Sequence, residues 1–300
     1  MNLNFDVIII GGSYSGLSAA MSLGRSLKDV LILDSGYPCN RFTPHSHNFI
    51  TYDGEKPDVI SAKAKEQVLK YKTVSFEYDE AISGEKTENG FAITTKRGTK
   101  YSAKKLLFAT GVRDVLPNIS GFDECWGKTI IHCPYCHGYE FKDEVTGIFA
   151  NGQKAFHLAT LVNNLTNSIV IFTSGDAEFT LDQRTKLQEH SIEVIESKIS
   201  AVEHCDGAIN CVVFTDGTKR KLSALYAALQ FEQQSEIPKE LGCDFTEFGH
   251  IMVDMFQKTT VAGIYACGDN SSMMRSVAYA VSSGNIAGAM INHDISADLF

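Results

Sequence analysis

The chain has 300 residues, of which 44% are hydrophobic and 21% charged, and its formal net charge is −9 at pH 7. This composition is that of a soluble globular protein with room for two domains, and the negative charge argues against nucleic acid as a partner, because phosphates require a basic surface. The longest apolar run near the N-terminus is too short to cross a bilayer and lacks the features of a signal peptide. We therefore expect a cytoplasmic protein with no membrane association.

The first 34 residues predict a βαβ unit. FDVIII is typical of a buried parallel strand, GGSYSG interrupts it, GLSAAMSLGRSL has helical spacing, and DVLILD is a second buried strand that ends at Asp34. This order of strand, glycine turn, helix, strand and acidic residue predicts a dinucleotide-binding fold.

The glycine turn carries the features of a phosphate site. Gly11, Gly12 and Gly16 would form it, with Ser13 in place of the middle glycine of G-x-G-x-x-G. Amides at the helix N-terminus could face a pyrophosphate, and Asp34 lies where a carboxylate can accept hydrogen bonds from an adenosine ribose. The alternative is a turn that only joins strand to helix; the flanking strands and Asp34 favour the cofactor.

The next segment predicts one exposed helix and three strands. The helix KPDVISAKAKEQVLKYK has Pro57 near its start. The strands are expected over 74–84, 91–96 and 101–109, separated by the hairpin signals ENG and KRG. A turn-rich stretch after Arg113 predicts the crossing to a second domain.

The second half weakly repeats this plan. VTGIFANGQKAFHLATLVNN and SIVIFTSG predict another βαβ-like unit, and CVVFTDGTKRKL predicts a hairpin. In this second turn Ala150 replaces the first motif glycine, and FTSGD lacks the arginine pair that would hold a 2′-phosphate. We expect a fold retained without its NADPH; the alternative is a divergent but working site. From about residue 230 a polar linker leads to a last helix, SVAYAVSSGNIAGAMIN, whose small-residue face could approach another backbone closely.

Cys133 and Cys136 are a close pair among the eight cysteines, within HCPYCHGYE. A zinc site would need two more ligands, and a packing pair fits poorly beside proline and histidine. A redox dithiol fits best, because C-x-x-C closes a reducible ring and His137 could take or give the thiol proton. His137 could otherwise be a surface residue, and His132 is a weaker candidate.

The loop CNRFTPHSHNF follows the second strand and contains Cys39, His45 and His47. A loop in this position could lie over a bound cofactor. The simpler interpretation is an ordinary cysteine and two ordinary loop histidines.

Together these motifs resemble the low-molecular-weight thioredoxin reductase family of FAD-dependent disulfide oxidoreductases over essentially the whole chain. DVIIIGGSYSG is similar to the FAD phosphate turn, ATGVRD to the segment that leaves the FAD domain, GIYACGD to the motif that reaches the ribityl chain, and CPYCHG to the redox pair. The resemblance implies an α/β fold with two Rossmann-like domains, the second inserted in the first, each with a small antiparallel β-meander. The FAD domain would comprise 1–112 and 232–300, and the NADPH-binding-like domain 113–231 would carry the redox pair.

The resemblance also implies roles for individual residues. Asp269 would contact the ribityl chain, Cys136 would face the flavin, Cys133 would exchange with the substrate, and His137 would shuttle the proton. The helix that begins near Ser276 would point its positive end at the flavin. No metal site is expected. The residues expected to bind FAD are Gly11, Gly12, Ser13, Gly16, Asp34, Gly111, Gly268, Asp269, Ser276 and Val277.

Two departures from the family's pattern direct the functional prediction. His137 stands where the reductases carry aspartate, and the NADPH motifs are degraded; CPYCHGYE looks closer to the flavoprotein oxidases that close disulfides in gliotoxin and holomycin. We expect a homodimeric FAD-dependent thiol–disulfide oxidoreductase that acts on a thioredoxin-like protein or a small dithiol, with oxygen or a carrier such as ferredoxin as electron partner. The alternatives are an NADPH-dependent thioredoxin reductase with an atypical nucleotide site and a non-catalytic redox sensor.

Overall fold

The structure, a computed structural model, describes residues 3–300 and divides into two compact units. The first unit contains the described residues up to Arg41, together with Phe49–Arg113 and Glu232–Phe300. The second contains Phe42–Asn48 and Asp114–Phe231. The second unit is thus inserted in the chain of the first, and it also takes a short segment from the loop after the second strand.

The N-terminal part of the chain contains the predicted βαβ unit, followed by a second helix and a meander. Its elements are β1 (Asn4–Ile10), α1 (Tyr14–Arg25), β2 (Val30–Asp34), α2 (Pro57–Val68), β3 (Val74–Tyr78), β4 (Ala81–Thr87), β5 (Gly90–Thr95), β6 (Lys100–Phe108) and β7 (Val112–Asp114). The main sheet has the order β3-β2-β1-β6-β5-β4. β1 pairs in parallel with both β2 and β6, and this central position explains why its sequence is a continuous apolar run.

The prediction of a single strand over 74–84 is wrong. β3 pairs in parallel with β2, whereas β4 pairs antiparallel with β5, so the chain changes partner between them. The break falls at Asp79, whose amide donates to the carbonyl of Glu77. The β-propensity of both pieces is similar, so only the pairing partner distinguishes them.

The second unit repeats the plan with shorter elements. They are α3 (Phe122–Cys125), β8 (Ile130–Ile131), α4 (Pro134–His137), β9 (Thr146–Phe149), α5 (Gly152–Val162), β10 (Ile169–Phe172), α6 (Leu181–Glu189), β11 (Glu193–Ile195), β12 (Ile199–Cys205), β13 (Ala208–Phe214), β14 (Lys219–Lys221) and β15 (Ala224–Ala227). A parallel sheet has the order β11-β10-β9-β15-β8, and β12, β13 and β14 form an antiparallel meander. Each unit thus combines a parallel sheet with a meander, which confirms the predicted fold class.

The C-terminal part of the chain adds β16 (Phe231–Gln233), α7 (Ile237–Glu240), β17 (Ile264–Ala266) and α8 (Val277–Leu299). β16 and α7 lie where only a polar linker was expected, and Ile237 is buried. β17 extends the main sheet beside β6. The small-residue face of α8 packs on α1, since a Cβ at Gly284 would lie 2.1 Å from Ser15 O. Within residues 3–300, no helix is both long and apolar enough to cross a membrane.

Candidate active site

The glycine turn after β1 is shaped by two close backbone approaches. Gly11 has a φ of +109°, and a Cβ built on it would lie 2.1 Å from Ala109 O. A Cβ at Gly16 would lie 1.9 Å from Gly11 O, so α1 begins directly against the turn. Backbone atoms occupy both spaces, and therefore only glycine fits there.

The first turn of α1 is suited to bind an anion. The side chain of the N-cap residue Ser13 makes no capping hydrogen bond, and the first turn contains no acidic side chain. The positive end of a helix dipole attracts phosphate when no residue of the protein competes for it.

Asp34 ends β2 beside this turn. Its Oδ2 accepts a hydrogen bond from Gly12 N at 2.5 Å, and its Oδ1 accepts one from Gly36 N at 2.7 Å. Each carboxylate oxygen has a further lone pair, so both can also accept a bond from a hydroxyl group. The geometry at Asp34 is thus compatible with the predicted ribose contact.

The GIYACGD motif lies against α1 in the same unit. Gly268 has a φ of +82°, and its built Cβ would lie 2.7 Å from Ser15 Oγ. The Oδ2 atom of Asp269 lies 3.6 Å from Arg275 Nε and 3.6 Å from Cys39 Sγ. Cys39 therefore contacts the carboxylate that was predicted to reach the ribityl chain.

The remaining predicted flavin residues belong to this unit as well. Gly111 follows β6 with a φ of +65°. Ser276 is the N-cap of α8, where its Oγ accepts a bond from Tyr279 N at 3.1 Å, and Val277 is the first helical residue.

Asn270 is a polar residue of this region that sequence reasoning missed. It is fully buried, and its Nδ2 donates to Phe108 O at 2.9 Å and to Thr110 Oγ1 at 3.2 Å. Among the described residues, its Oδ1 has no hydrogen-bond partner. A buried oxygen without a partner is rare in native proteins, and a bound ligand or water would satisfy it. Its position directly after the GIYACGD motif was a signal that could have identified it.

The first unit therefore fits the FAD that the resemblance implies. The glycine turn, the uncapped first turn of α1 and Asp34 would hold the ADP half. Gly268 lies against the same helix, and Asp269 and Asn270, with its unpartnered oxygen, follow Gly268 directly in the chain.

The redox pair lies on the short helix α4 of the second unit. Cys133 and Cys136 form a disulfide with a Cα–Cα distance of 5.3 Å. Cys133 is the N-cap residue, and its Sγ accepts a hydrogen bond from Cys136 N at 3.1 Å. Such an amide stabilises negative charge on sulfur, which favours Cys133 as a thiolate once the bond opens.

His137 ends α4 directly after Cys136 and is partly buried. Burial lowers the pKa of His137, Glu140 acts in the opposite direction, and His47 lowers this pKa further. The ring is therefore neutral at pH 7 and can accept a proton from a thiol.

His47 approaches this site, which sequence reasoning did not anticipate. Its Nε2 lies 3.4 Å from Glu140 Oε1, and its ring centroid lies 6.5 Å from that of His137. Ninety residues separate the two histidines in the chain, and no spacing rule relates them. The sequence HSH was the available signal, but the partner of this loop could not be inferred from it.

Cys125 and His132 are the residues near the pair in sequence that could have completed a zinc site. Cys125 is fully buried, and burial raises the pKa of its thiol. The ring of His132 lies 6.3 Å from the ring of Trp126. In the part of the chain that the structure describes, no three His, Cys, Asp or Glu side chains are grouped to hold a metal ion.

The glycine turn of the second unit differs from that of the first. Asn151 is the N-cap of α5, and its Oδ1 accepts hydrogen bonds from Gly152 N at 2.8 Å and Glu178 N at 3.0 Å. Its Nδ2 donates to Asp176 O at 2.8 Å. A side chain of the protein thus occupies the amide that a nucleotide phosphate would otherwise use.

Comparison with known proteins relates the chain to one family. The family model described as "Pyridine nucleotide-disulphide oxidoreductase" matches residues 5–284. The "Thioredoxin reductase tcpT" of Claviceps purpurea is 29% identical over 98% of this chain and 95% of its own. The crystal structure of a putative thioredoxin reductase TrxB from Bacillus anthracis is 32% identical, covers 99% of this chain and 100% of its own, and superposes with a TM-score of 0.94. That of an oxidoreductase from Agrobacterium tumefaciens is 36% identical, covers 99% of both chains and has a TM-score of 0.91.

Proposed function

The chain belongs to the pyridine nucleotide-disulphide oxidoreductase family as a thioredoxin reductase-like, FAD-dependent enzyme, and we propose that it works without NADPH. In this proposal Cys133 and Cys136 exchange two electrons between FAD and a dithiol or disulfide substrate. The outer electron partner is oxygen or a carrier such as ferredoxin. The FAD domain corresponds to 1–112 with 232–300, and the domain that carries the redox pair corresponds to 113–231.

The capped turn of the second unit is the observation that carries this proposal. The Asn151 side chain satisfies the first amide of α5 and links the turn to the loop after β10. A pyrophosphate would have to break these bonds before it could bind, whereas the N-cap side chain of α1 in the first unit makes no capping bond.

The charge of the loop after β10 supports the same conclusion. This loop carries Asp176 and Glu178, and its Ala177 amide donates to Glu196 Oε1 at 2.9 Å. Arg184 reaches the loop, but its Nη2 donates to Ala177 O at 2.6 Å. Carboxylates at this place repel a 2′-phosphate, which NADPH carries and NADH does not.

The chemistry at the redox pair is thiol–disulfide exchange. In the oxidase direction a substrate thiolate attacks Cys133 Sγ, the bond between the cysteines breaks, and the electron pair leaves on Cys136 Sγ. The second substrate thiol then attacks the mixed disulfide and releases Cys133, so that the substrate becomes a disulfide and the cysteines a dithiol. Neutral His137 takes the proton that the attacking thiol loses. FAD supplies the two-electron acceptor for the reduced pair.

The substrate is a thioredoxin-like protein or a small dithiol. Tyr135 lies between the two cysteines in sequence and Tyr139 lies three residues after Cys136; they are 68% and 71% exposed, so aromatic surface is available beside the pair. Such exposed rings suit contact with either class. We also propose that the enzyme is a cytoplasmic homodimer.

Anaerobic reduction of the FAD-loaded protein tests the proposal. A small dithiol should bleach the flavin absorbance, and NADPH at the same concentration should leave it unchanged. Cys133→Ser should retain FAD and lose the reaction with dithiol. Cys205→Ser, which removes an exposed unpaired cysteine, should behave as wild type. Formation of peroxide when oxygen is readmitted would favour an oxidase. If no peroxide formed, a carrier protein would be favoured as the electron partner.

Rapid bleaching by NADPH would contradict the proposal. It would favour the second candidate, an NADPH-dependent thioredoxin reductase with an atypical nucleotide site. The names of the relatives from Claviceps purpurea and Bacillus anthracis support that candidate.

A further inference from the structure

Three ionisable side chains meet beside the redox pair of the second unit. His137 ends α4, Glu140 lies on the 3-10 helix Tyr139–Phe141 that follows, and His47 comes from the segment 42–48. His47 Nε2 lies 3.4 Å from Glu140 Oε1, and the rings of His47 and His137 meet edge to face at 6.5 Å between centroids.

The neighbouring charges act on His137 in opposite directions. Burial lowers the pKa of His137, the Glu140 carboxylate raises it, and His47 lowers it further. The carboxylate therefore favours the proton that His137 carries during exchange, and a charge on His47 opposes it.

We propose that His47 and Glu140 are positioning residues for His137, holding its ring and balancing the proton that it carries during exchange at Cys136. The inference deepens the proposed function and rests on it. The ring of His47 limits the space for His137 from one side, and Glu140 fixes His47 in turn.

The proton moves between named groups in this scheme. The substrate thiol loses its proton to His137 as its sulfur attacks Cys133, and Cys136 leaves as a thiolate. His137 then gives the proton to the Cys136 sulfur. The products are a mixed disulfide on Cys133 and a thiol at Cys136, so protons and electrons balance before the second substrate thiol reacts.

The Tyr226 hydroxyl and His45 are further titratable groups near this site. The Tyr226 hydroxyl lies close to the end of α4, since a Cβ at Gly138 would lie 3.0 Å from it. Burial and Glu140 raise the pKa of this phenol, so it stays neutral. His45 lies on the segment of His47, with 6.5 Å between their ring centroids. The Cys136 thiol joins the group only after reduction.

Histidine NMR on the FAD-loaded protein tests the pairing without turnover. The titration of the His137 ring, assigned with His137→Asn, would be followed in protein with labelled histidine. His47→Asn should raise the pKa of His137 and Glu140→Gln should lower it, because His47 lowers this pKa and Glu140 raises it in the wild type. Glu140→Asp should restore most of the difference. Tyr226→Phe, a packing change that removes no charge, should leave the pKa in place.

The pH dependence of anaerobic flavin reduction by dithiothreitol gives a second readout. Its midpoint should move in the same direction as the pKa of His137 in each variant. A pKa of His137 that is the same in wild type, His47→Asn and Glu140→Gln would overturn the inference, as would slower reduction without a moved midpoint. If dithiothreitol reduced the wild-type flavin at no pH, the proposed function would be wrong. The proposed role of His47 and Glu140 in exchange would then be wrong as well.

Discussion

The two glycine turns of the molecule have the same topology and different hydrogen bonds. In the first unit the Ser13 side chain leaves the start of α1 uncapped, and Asp34 is held beside it by the amide of Gly12. In the second unit Asn151 caps the start of α5 and ties it to the loop after β10. The proposal that only the first unit binds a nucleotide rests on this difference, because a Rossmann-like fold does not by itself make a nucleotide site.

The largest expected effect comes from adding one methyl group to each turn. Gly11→Ala should abolish FAD binding, since its Cβ would meet Ala109 O at 2.1 Å at a φ of +109°. Gly152→Ala is the matched control: its φ is +52° and its nearest contact 3.3 Å, so it should cost only about 1 kcal/mol. Flavin content of the purified proteins and their urea unfolding measure both. Equal flavin loss in the two variants would remove the distinction between the turns.

The next largest effect should come from the acidic residue that ends or follows the second strand of each βαβ unit, which is Asp34 at β2 and Asp176 after β10. Asp34→Ala removes the acceptor for Gly12 N and should weaken FAD binding about 10- to 100-fold, the value of a charge-assisted hydrogen bond. Asp176→Ala, at an exposed position after β10, should leave FAD affinity unchanged. Fluorescence titration of flavin-free protein gives both affinities. An unchanged affinity in Asp34→Ala would exclude Asp34 from the FAD site.

The contribution of the Asn151 cap to the free energy of unfolding should be measurable. Asn151→Ala leaves the amides of Gly152 and Glu178 without their acceptor and should destabilise the second unit by about 1 to 2 kcal/mol. FAD affinity should stay at the wild-type value. Urea denaturation followed by circular dichroism measures the loss; Asn151→Asp, which retains the acceptor, should recover most of it. A variant as stable as wild type would show that the cap contributes nothing.

The smallest effect concerns Asp294, which ties α8 to Lys258 and to Tyr265 of β17. Burial raises the pKa of Asp294, but hydrogen bonds from Lys258 and Tyr265 outweigh it and lower the pKa to about 2. Because the folded value lies below the unfolded one, this contribution to stability is complete above about pH 4 and is lost as the pH falls through 2. At pH 7 Asp294→Asn should cost about 1 kcal/mol, since the carboxylate is partly exposed and screened. Its acid unfolding curve should be flatter than that of wild type; an identical curve would contradict the assignment.

Much of the first unit follows from sequence pattern alone. The apolar runs, the glycine turn and Pro57 place β1, α1, β2 and α2 correctly, because local propensity and tertiary structure agree there. The small-residue face of α8 predicted a close approach to another backbone, and its glycines pack on α1, although the sequence did not identify that helix as the partner.

The remaining features depend on contacts between distant segments. One strand was expected where β3 and β4 have different partners, and a linker was expected where β16 pairs with β7. His47 reaches Glu140 across the chain, and Asn151 accepts a bond from the amide of Glu178, so neither contact follows from local spacing. The replacement of the first motif glycine by Ala150 was visible in the sequence, but the hydrogen bonds of Asn151 were not.

Calorimetric titration of the FAD-loaded protein with NADPH tests the central claim most directly, because it measures binding separately from electron transfer. The capped turn and its acidic loop predict no detectable binding, with a Kd above about 1 mM. The double variant Ala150→Gly/Asn151→Gly, which reopens the turn, should bind more tightly than wild type. One-to-one binding of NADPH to the wild type at micromolar Kd would contradict the account.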